Sequence, residues 1–397
     1  MSSILDFAAA GDKQAIRDLI AEHTYEDVAK IINDADSEGR TTLHHAVRQG
    51  WADMVPALAA AGANIEARDA NDGTPLYRAV ENKDIAAATA MLQAGAVRDV
   101  RRFEDGLTAL QIAITDNNLA MVKLLVDWGA DVTAKTPPKD DGMNAYHFAA
   151  RQDPAILDLL MDHPDAGALH EIFTADRKKQ SVLRIALERS DKPLVEKLLD
   201  YGVDVNERDD NGETPLFYLL GHRDSREKTL PIIRLLIERG ADLDKLTNYW
   251  GENALFPAVQ SSYTEAVKLL LDYGADAKAV TVQGETLLHA AANTYDAKTM
   301  RMLVKAGADI NARDRNKQTP LHIAANKNKL DVVDALLNAG ADPFLKDKNG
   351  KTPRDLAPAE FQARVNRVIA EKEKEIEIKK YGHAMYVKRQ AAEKERL

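Results

Sequence analysis

The chain has 397 residues, 45% of them apolar and 29% charged, with no cysteine and a formal net charge of −10. This is the composition of a folded protein with ample core, and it excludes disulfides, thiolate zinc sites and cysteine nucleophiles. The acidic balance argues against nucleic-acid binding, which needs a basic face, and no stretch approaches 18 uncharged apolar residues, so no membrane contact is expected.

In chain order, the first element is a helix-pair pattern, ILDFAAAGDKQAIRDLIAE at 4–22. From residue 41 the pattern returns with better definition. Its anchor is a Thr, Ser or Asn, whose side-chain oxygen can accept a free amide at a helix start. Anchors stand at Thr41, Thr74, Thr108, Asn144, Ser181, Thr214, Asn253, Thr286, Thr319 and Thr352, spaced 33 to 39 residues apart. Pro follows at 75, 215, 320 and 353, the first helical position, where its missing N–H costs nothing. Leu lies two residues past the anchor in eight of the ten copies, and Ala five past it in nine. The two share a helix face, and the small Ala admits a neighbouring helix. A second apolar-periodic helix follows, as in LDVVDALLNAG at 330–340. Gly closes it at 62, 95, 129, 202, 240, 274, 307 and 340, where a left-handed cap is cheap. A short extended stretch and turn, such as ADPFLKDKNG at 341–350, completes the unit.

Helix, loop, helix, hairpin at a period near 33 resembles the ankyrin repeat family. The residues that carry the resemblance are TPLHIAA at 319–325, TPLYRAV at 74–80, TLLHAAA at 286–292 and the GAD triplets beginning at 129, 240, 274, 307 and 340. It implies an all-α repeat solenoid with hairpin fingers: a curved, elongated array of about eleven units over residues 1–358, followed by a charged helical cap and tail at 359–397. One unit cannot bury both faces of its helix pair, so neighbours supply each other's core. In that family the fingertips and the exposed end of the first helix form the usual binding surface.

The period breaks in three places. The finger TAKTPPKDDGMN at 133–144 carries three extra residues, its prolines stiffening a longer projection. Near 163–180 His163-Pro164 replaces the closing Gly-Ala, the place for either a change of curvature or a division of the array into two subdomains. The unit from Thr214 to Asn253 has Leu219 in place of the small Ala, and five of its extra residues fall between the helices, in GHRDSREKTLP. Its finger, LTNYWGEN at 246–253, puts Tyr249 and Trp250 on an outward turn. Tyr and Trp are favoured interface anchors, so this pair leads the contact candidates against the alternative of local packing. The others are Arg101, Arg102 and Phe103 in the basic finger RDVRRFEDG, Lys178 and Lys179 in DRKKQ, Asp210 and Asn211 on the finger ERDDNG, and His222 at the end of a first helix. The basic clusters would suit an acidic or phosphorylated partner, although a solvated turn is the plainer reading of both.

Other residues read as structural. Trp51 and Tyr263 sit between the helices of a unit as core filling, Trp128, Tyr201 and Tyr273 shield helix ends, and His44, His289 and His322 bond to loop backbone. The segment 207–212 mimics a calcium loop, but Tyr218 stands where the bidentate carboxylate is needed. There is no phosphate-binding Gly loop, His-Glu-x-x-His or Gly-x-Ser-x-Gly motif, so no catalytic residue, cofactor or metal is assigned. In the tail, Phe361, Val365, Val368 and Ile369 form a stripe that would seal the last unit. The expectation is a monomeric, cytoplasmic, non-enzymatic scaffold for a protein partner, one of basic character suiting the acidic surface. The alternatives are an inhibitor or immunity-type protein that sequesters an enzyme or toxin, and a bacterial effector exported without a cleaved signal. An enzyme with its site on the fingers would need converging His and carboxylates, which the sequence does not show.

Overall fold

A computed structural model describes residues 4–102, 105–137, 142–162, 181–209, 211–222, 225–244, 250–294, 296–358 and 362–382. The chain forms two compact units, Met1–Val203 and Asp204–Leu397. The division falls after the expected junction near 163–180, residues that lie outside those described.

In the first unit the helix pairs are Ile4–Ala10 with Lys13–Glu22, Thr42–Arg48 with Val55–Ala60, Pro75–Glu81 with Ile85–Gln93, Ala109–Thr115 with Leu119–Asp127, Ala145–Arg151 with Pro154–Asp162, and Val182–Glu188 with Lys192–Asp200. An additional helix, Tyr25–Ile31, capped by Thr24, separates the first pair from the first finger and was not foreseen. In the second unit Pro215–Gly221 pairs with Arg226–Glu238, Leu255–Gln260 with Thr264–Asp272, Leu287–Ala292 with Ala297–Lys305, and Pro320–Asn326 with Leu330–Asn338. Pro353–Leu356 and Gln362–Tyr381 follow.

The anchors act as read. Thr74, Thr108, Asn144, Ser181 and Thr214 each accept the amide of the third helical residue, a cap worth about 1 kcal/mol. Every alignment Ala, from Ala46 to Ala357, is buried, and so is the Leu219 that replaces one. The carbonyls of Ala46, Ala79, Ala113, Ala186, Ala258 and Ala324 also accept the amide five residues on, which ends the first helix. That turn needs a left-handed residue, supplied by Gly50 once and by Lys83, Asn117, Ser190, Ser262 and Asn328 at φ of 52° to 57°. The eight Gly that close the second helices take φ of 78° to 99°.

Neighbouring repeats are tied by buried imidazoles. Thr41 N–H donates to His44 Nδ1 at 3.2 Å, so Nε2 carries the proton and donates to Gly73 O of the next finger at 3.0 Å. His289 reaches Gln318 O at 2.9 Å and His322 reaches Lys351 O at 3.1 Å in the same way. Gln111 makes the same two-ended link without an ionisable group, accepting from Thr108 N at 3.0 Å and donating to Ala134 O at 2.8 Å. Burial pushes all three imidazoles below their ordinary 6.5.

Among the described residues the fingers contain isolated antiparallel bridges, such as Ala35 with Thr41 and Val280 with Thr286, and no strand. An Asp five residues before the anchor shapes the tip in five of the described repeats. Asp36, Asp69, Asp209, Asp314 and Asp347 accept two backbone amides apiece through Oδ1, and Thr281 substitutes through its hydroxyl. Single backbone bonds join successive fingers: Ala70 N to Glu38 O, Val282 N to Trp250 O, Arg315 N to Gln283 O and Lys348 N to Asn316 O. Pro137 lies so close to Gly106 that a β-carbon there would meet its ring at 2.2 Å. At the far end Gln362–Tyr381 packs on Leu330–Asn338 and Pro353–Leu356 with Ile369 fully buried, and Gly382, at φ 76°, ends it. Phe361 and the side chain of Val365 lie outside the described residues.

Candidate functional site

The repeat anchored at Thr214 departs from its neighbours in a way the sequence reading missed. Most of its extra residues extend the second helix rather than a polar loop: Arg226–Glu238 has 13 residues where the neighbouring Thr264–Asp272 has 9. The next repeat clamps this added turn. Tyr263 Oη donates to Arg226 O at 2.5 Å and lies 3.2 Å from Thr229 Oγ1. The Arg226 guanidinium sits 5.0 Å from the centre of the Tyr263 ring and donates to Ser261 O at 2.6 Å and Ser262 O at 2.8 Å. Tyr263 is therefore core filling, as expected, and burial raises its phenol.

Between these first helices and the fingers lies an open pocket of about 500 Å³. Its finger side is Glu213, Trp250 and Glu252; its helix side is Phe217, Gly221, Pro257, Gln260 and Ser261. Trp250 is 59% exposed although its carbonyl is held by Val282 N–H at 2.9 Å. Gln260 Nε2 donates to Glu252 Oε1 at 2.8 Å, holding that carboxylate at the wall. Asn253 fixes the base of the finger, accepting from Leu255 N at 3.2 Å and donating to Asp244 Oδ1 and Asp276 O. The next finger presents Val280 and Val282, each about half exposed.

A second pocket, of about 240 Å³, occupies the corresponding angle in the first unit. It contains Arg40, Arg48 and Arg78 among Glu38, Asp69 and Glu81. Arg78 grips Asp69 with two bonds of 2.6 and 2.8 Å, and Arg40 bonds Asp36 at 3.0 Å. Burial works against ionisation of Asp69, but its bonds from Arg78 and the Gly73 amide hold it below the usual carboxylate range. Both pockets use the same register: the residue before the anchor and those three, four and seven after it. That periodic signal was available in the sequence and was not used.

The other described candidates make contacts of their own. Arg102 is committed to its own fold: Nη1 bonds Glu81 Oε1 at 3.0 Å, its other nitrogens bond Asp105, and the guanidinium lies 5.2 Å from the Tyr77 ring centre. Arg101 donates to Gly106 O at 2.8 Å, so these two guanidinium groups brace the finger. Asn211 is exposed at a fingertip, and His222 caps its helix, Nδ1 lying 3.0 Å from Tyr218 O with its ring on that tyrosine. Tyr249, Phe103, Lys178, Lys179 and Asp210 lie outside the described residues. Among the described residues no cluster of His and carboxylates could hold a metal, and no helix is long and apolar enough to cross a membrane.

Three-copy ankyrin-repeat family profiles match residues 5–102, 96–170, 183–281 and 222–314, and a many-copy profile matches 303–357. The chain belongs to the ankyrin repeat family. Its ankyrin array is 30% identical over 192 residues to the B-cell lymphoma 3 protein homolog of Mus musculus, covering 46% of this chain and 40% of that protein. It is 36% identical over 110 residues to ankyrin repeat and SOCS box protein 6 of Homo sapiens, 26% of this chain and 25% of that protein. To the nuclear factor NF-kappa-B p105 subunit of Gallus gallus it is 32% identical over 130 residues, 32% of this chain and 13% of that protein. The ankyrin match thus spans less than half the length of each of these relatives.

Proposed function

We propose that this chain is a non-enzymatic protein-interaction scaffold and that the angle between fingers and first helices in the second unit is its contact surface. The observation that supports it is Trp250, a large aromatic left 59% exposed on a finger braced by Val282 and fronting a pocket of about 500 Å³. An exposed indole at a pocket mouth is the usual chemistry of an interface anchor, and a backbone held at Trp250 before binding lowers the entropy lost when a partner arrives. The neighbouring Val280 and Val282 continue an apolar strip along the finger row. Relatives such as the RelA-associated inhibitor of Mus musculus, 32% identical over 111 residues, carry a name that describes action on another protein. The partner is proposed to bind a monomeric chain.

Affinity capture with the full chain tests this, comparing wild type with Trp250→Ala and with Tyr273→Ala, whose ring lies at the end of a second helix. The expected result is a partner lost with Trp250→Ala and retained with Tyr273→Ala. A partner retained equally by both variants would place the contact surface elsewhere.

A further inference from the structure

The two pockets occupy the same register in their repeats, yet they differ in charge. In the first unit Arg40, Arg48 and Arg78 stand among the acids and neutralise them locally. In the second unit the described lining residues include two carboxylates, Glu213 and Glu252, and neither Lys nor Arg. They share the lining with the indole of Trp250, Phe217 and Pro257. Carboxylates beside an aromatic face form the environment that stabilises a side-chain cation, through charge-assisted hydrogen bonds and the ring quadrupole together. A volume of about 500 Å³ leaves room for one long side chain.

We infer that this pocket receives an arginine side chain from an extended segment of the protein partner, the guanidinium lying against Trp250 and bonding to Glu213 and Glu252. This rests on the preceding assignment of the surface and adds the chemistry of what enters it. Arginine suits the site better than lysine because its planar fork stacks on an indole while donating to two carboxylates at once. Both carboxylates keep contacts within the chain, Glu252 with Gln260 among them, so the incoming guanidinium shares or displaces these contacts. The chain's net charge of −10 draws a basic segment toward the site, and screening by salt weakens that pull.

The test is a selection of random displayed peptides on the full chain, with depletion on Trp250→Ala. The enriched peptide and its Arg→citrulline counterpart are then titrated calorimetrically against wild type, Trp250→Ala and Glu213→Gln/Glu252→Gln. Citrulline keeps the shape and removes the charge, and thermal melts confirm that each variant is folded. Peptides sharing one arginine are expected, with affinity falling at least tenfold on citrulline replacement and by a similar factor in the double Gln variant. Weaker binding at higher salt should accompany this. Peptides that need Trp250 but lack a shared arginine, or that ignore both the citrulline and the Gln changes, overturn the inference while leaving the contact surface in place. A selection that yields no Trp250-dependent peptide overturns both.

Discussion

At the scale of single residues, the repeat is held in register by a few buried polar groups. His44, His289 and His322 accept a cap amide at one ring nitrogen and donate to the next finger at the other, a pattern only the neutral imidazole can satisfy. Protonation would set a second N–H against the cap donor, and burial adds a desolvation cost, so the folded-state values lie below 6.5. The unfolded chain therefore binds protons first as pH falls. The stability these groups contribute is complete above about pH 6.5 and is lost as pH drops through their folded-state values. Gln111 shows the non-titrating form of the same link. Replacing all three residues by Gln should keep stability at pH 7.5 within about 1 kcal/mol and flatten its decline toward pH 5, read from urea midpoints. His322→Ala, in contrast, takes the acceptor from the buried Thr319 amide and leaves the Lys351 carbonyl with the Asp347 amide alone, and should cost about 1–3 kcal/mol at pH 7.5.

At the scale of elements, caps and closures were largely readable, while their connections were not. Thr and Ser anchors, Pro after them, the buried Ala and the closing Gly all follow from local rules, and each stands where its chemistry requires. The Asp five residues before Thr41, Thr74, Thr214, Thr319 and Thr352 was legible too, but it was taken as part of a generic turn although it accepts two amides at each of these tips. The extended helix Arg226–Glu238 was read as loop because its first residues are polar, and the contacts that hold it come from Tyr263, more than thirty residues on. The pocket shows the same limit. Trp250 announced itself, but Phe217, Pro257 and Gln260 become its neighbours only when two repeats stack. The left-handed turn after each first helix gives a further test. Ser190 holds φ of 52° there, a conformation costing a non-glycine residue about 1–2 kcal/mol. Ser190→Gly relieves that strain against a smaller entropic loss, so thermal unfolding should show a gain of about 0.5–1 kcal/mol.

At the scale of the molecule, each unit is a chain of nearest-neighbour contacts rather than one shared core, so damage should stay near its origin. Ala324 is fully buried where the Pro320–Asn326 helix meets its neighbours. Ala324→Glu places an unpaired charge there and should cost about 3–5 kcal/mol. Hydrogen exchange should quicken across residues 287–350 and remain unchanged across 42–93. A uniform increase along the chain would show that the repeats are more strongly coupled than their contacts indicate. The opposite experiment, Ala46→Glu, should give the mirror pattern.

The backbone bond from Val282 to Trp250 O joins adjacent fingers. The grip of the tryptophan on a ligand is therefore partly set by the repeat that follows it, at a residue whose side chain is absent from the pocket lining. Proline at 282 would remove that donor and leave every lining atom chemically intact. Recognition in such a molecule can drift by changes one module away, which makes an unaltered pocket a poor guide to an unaltered appetite.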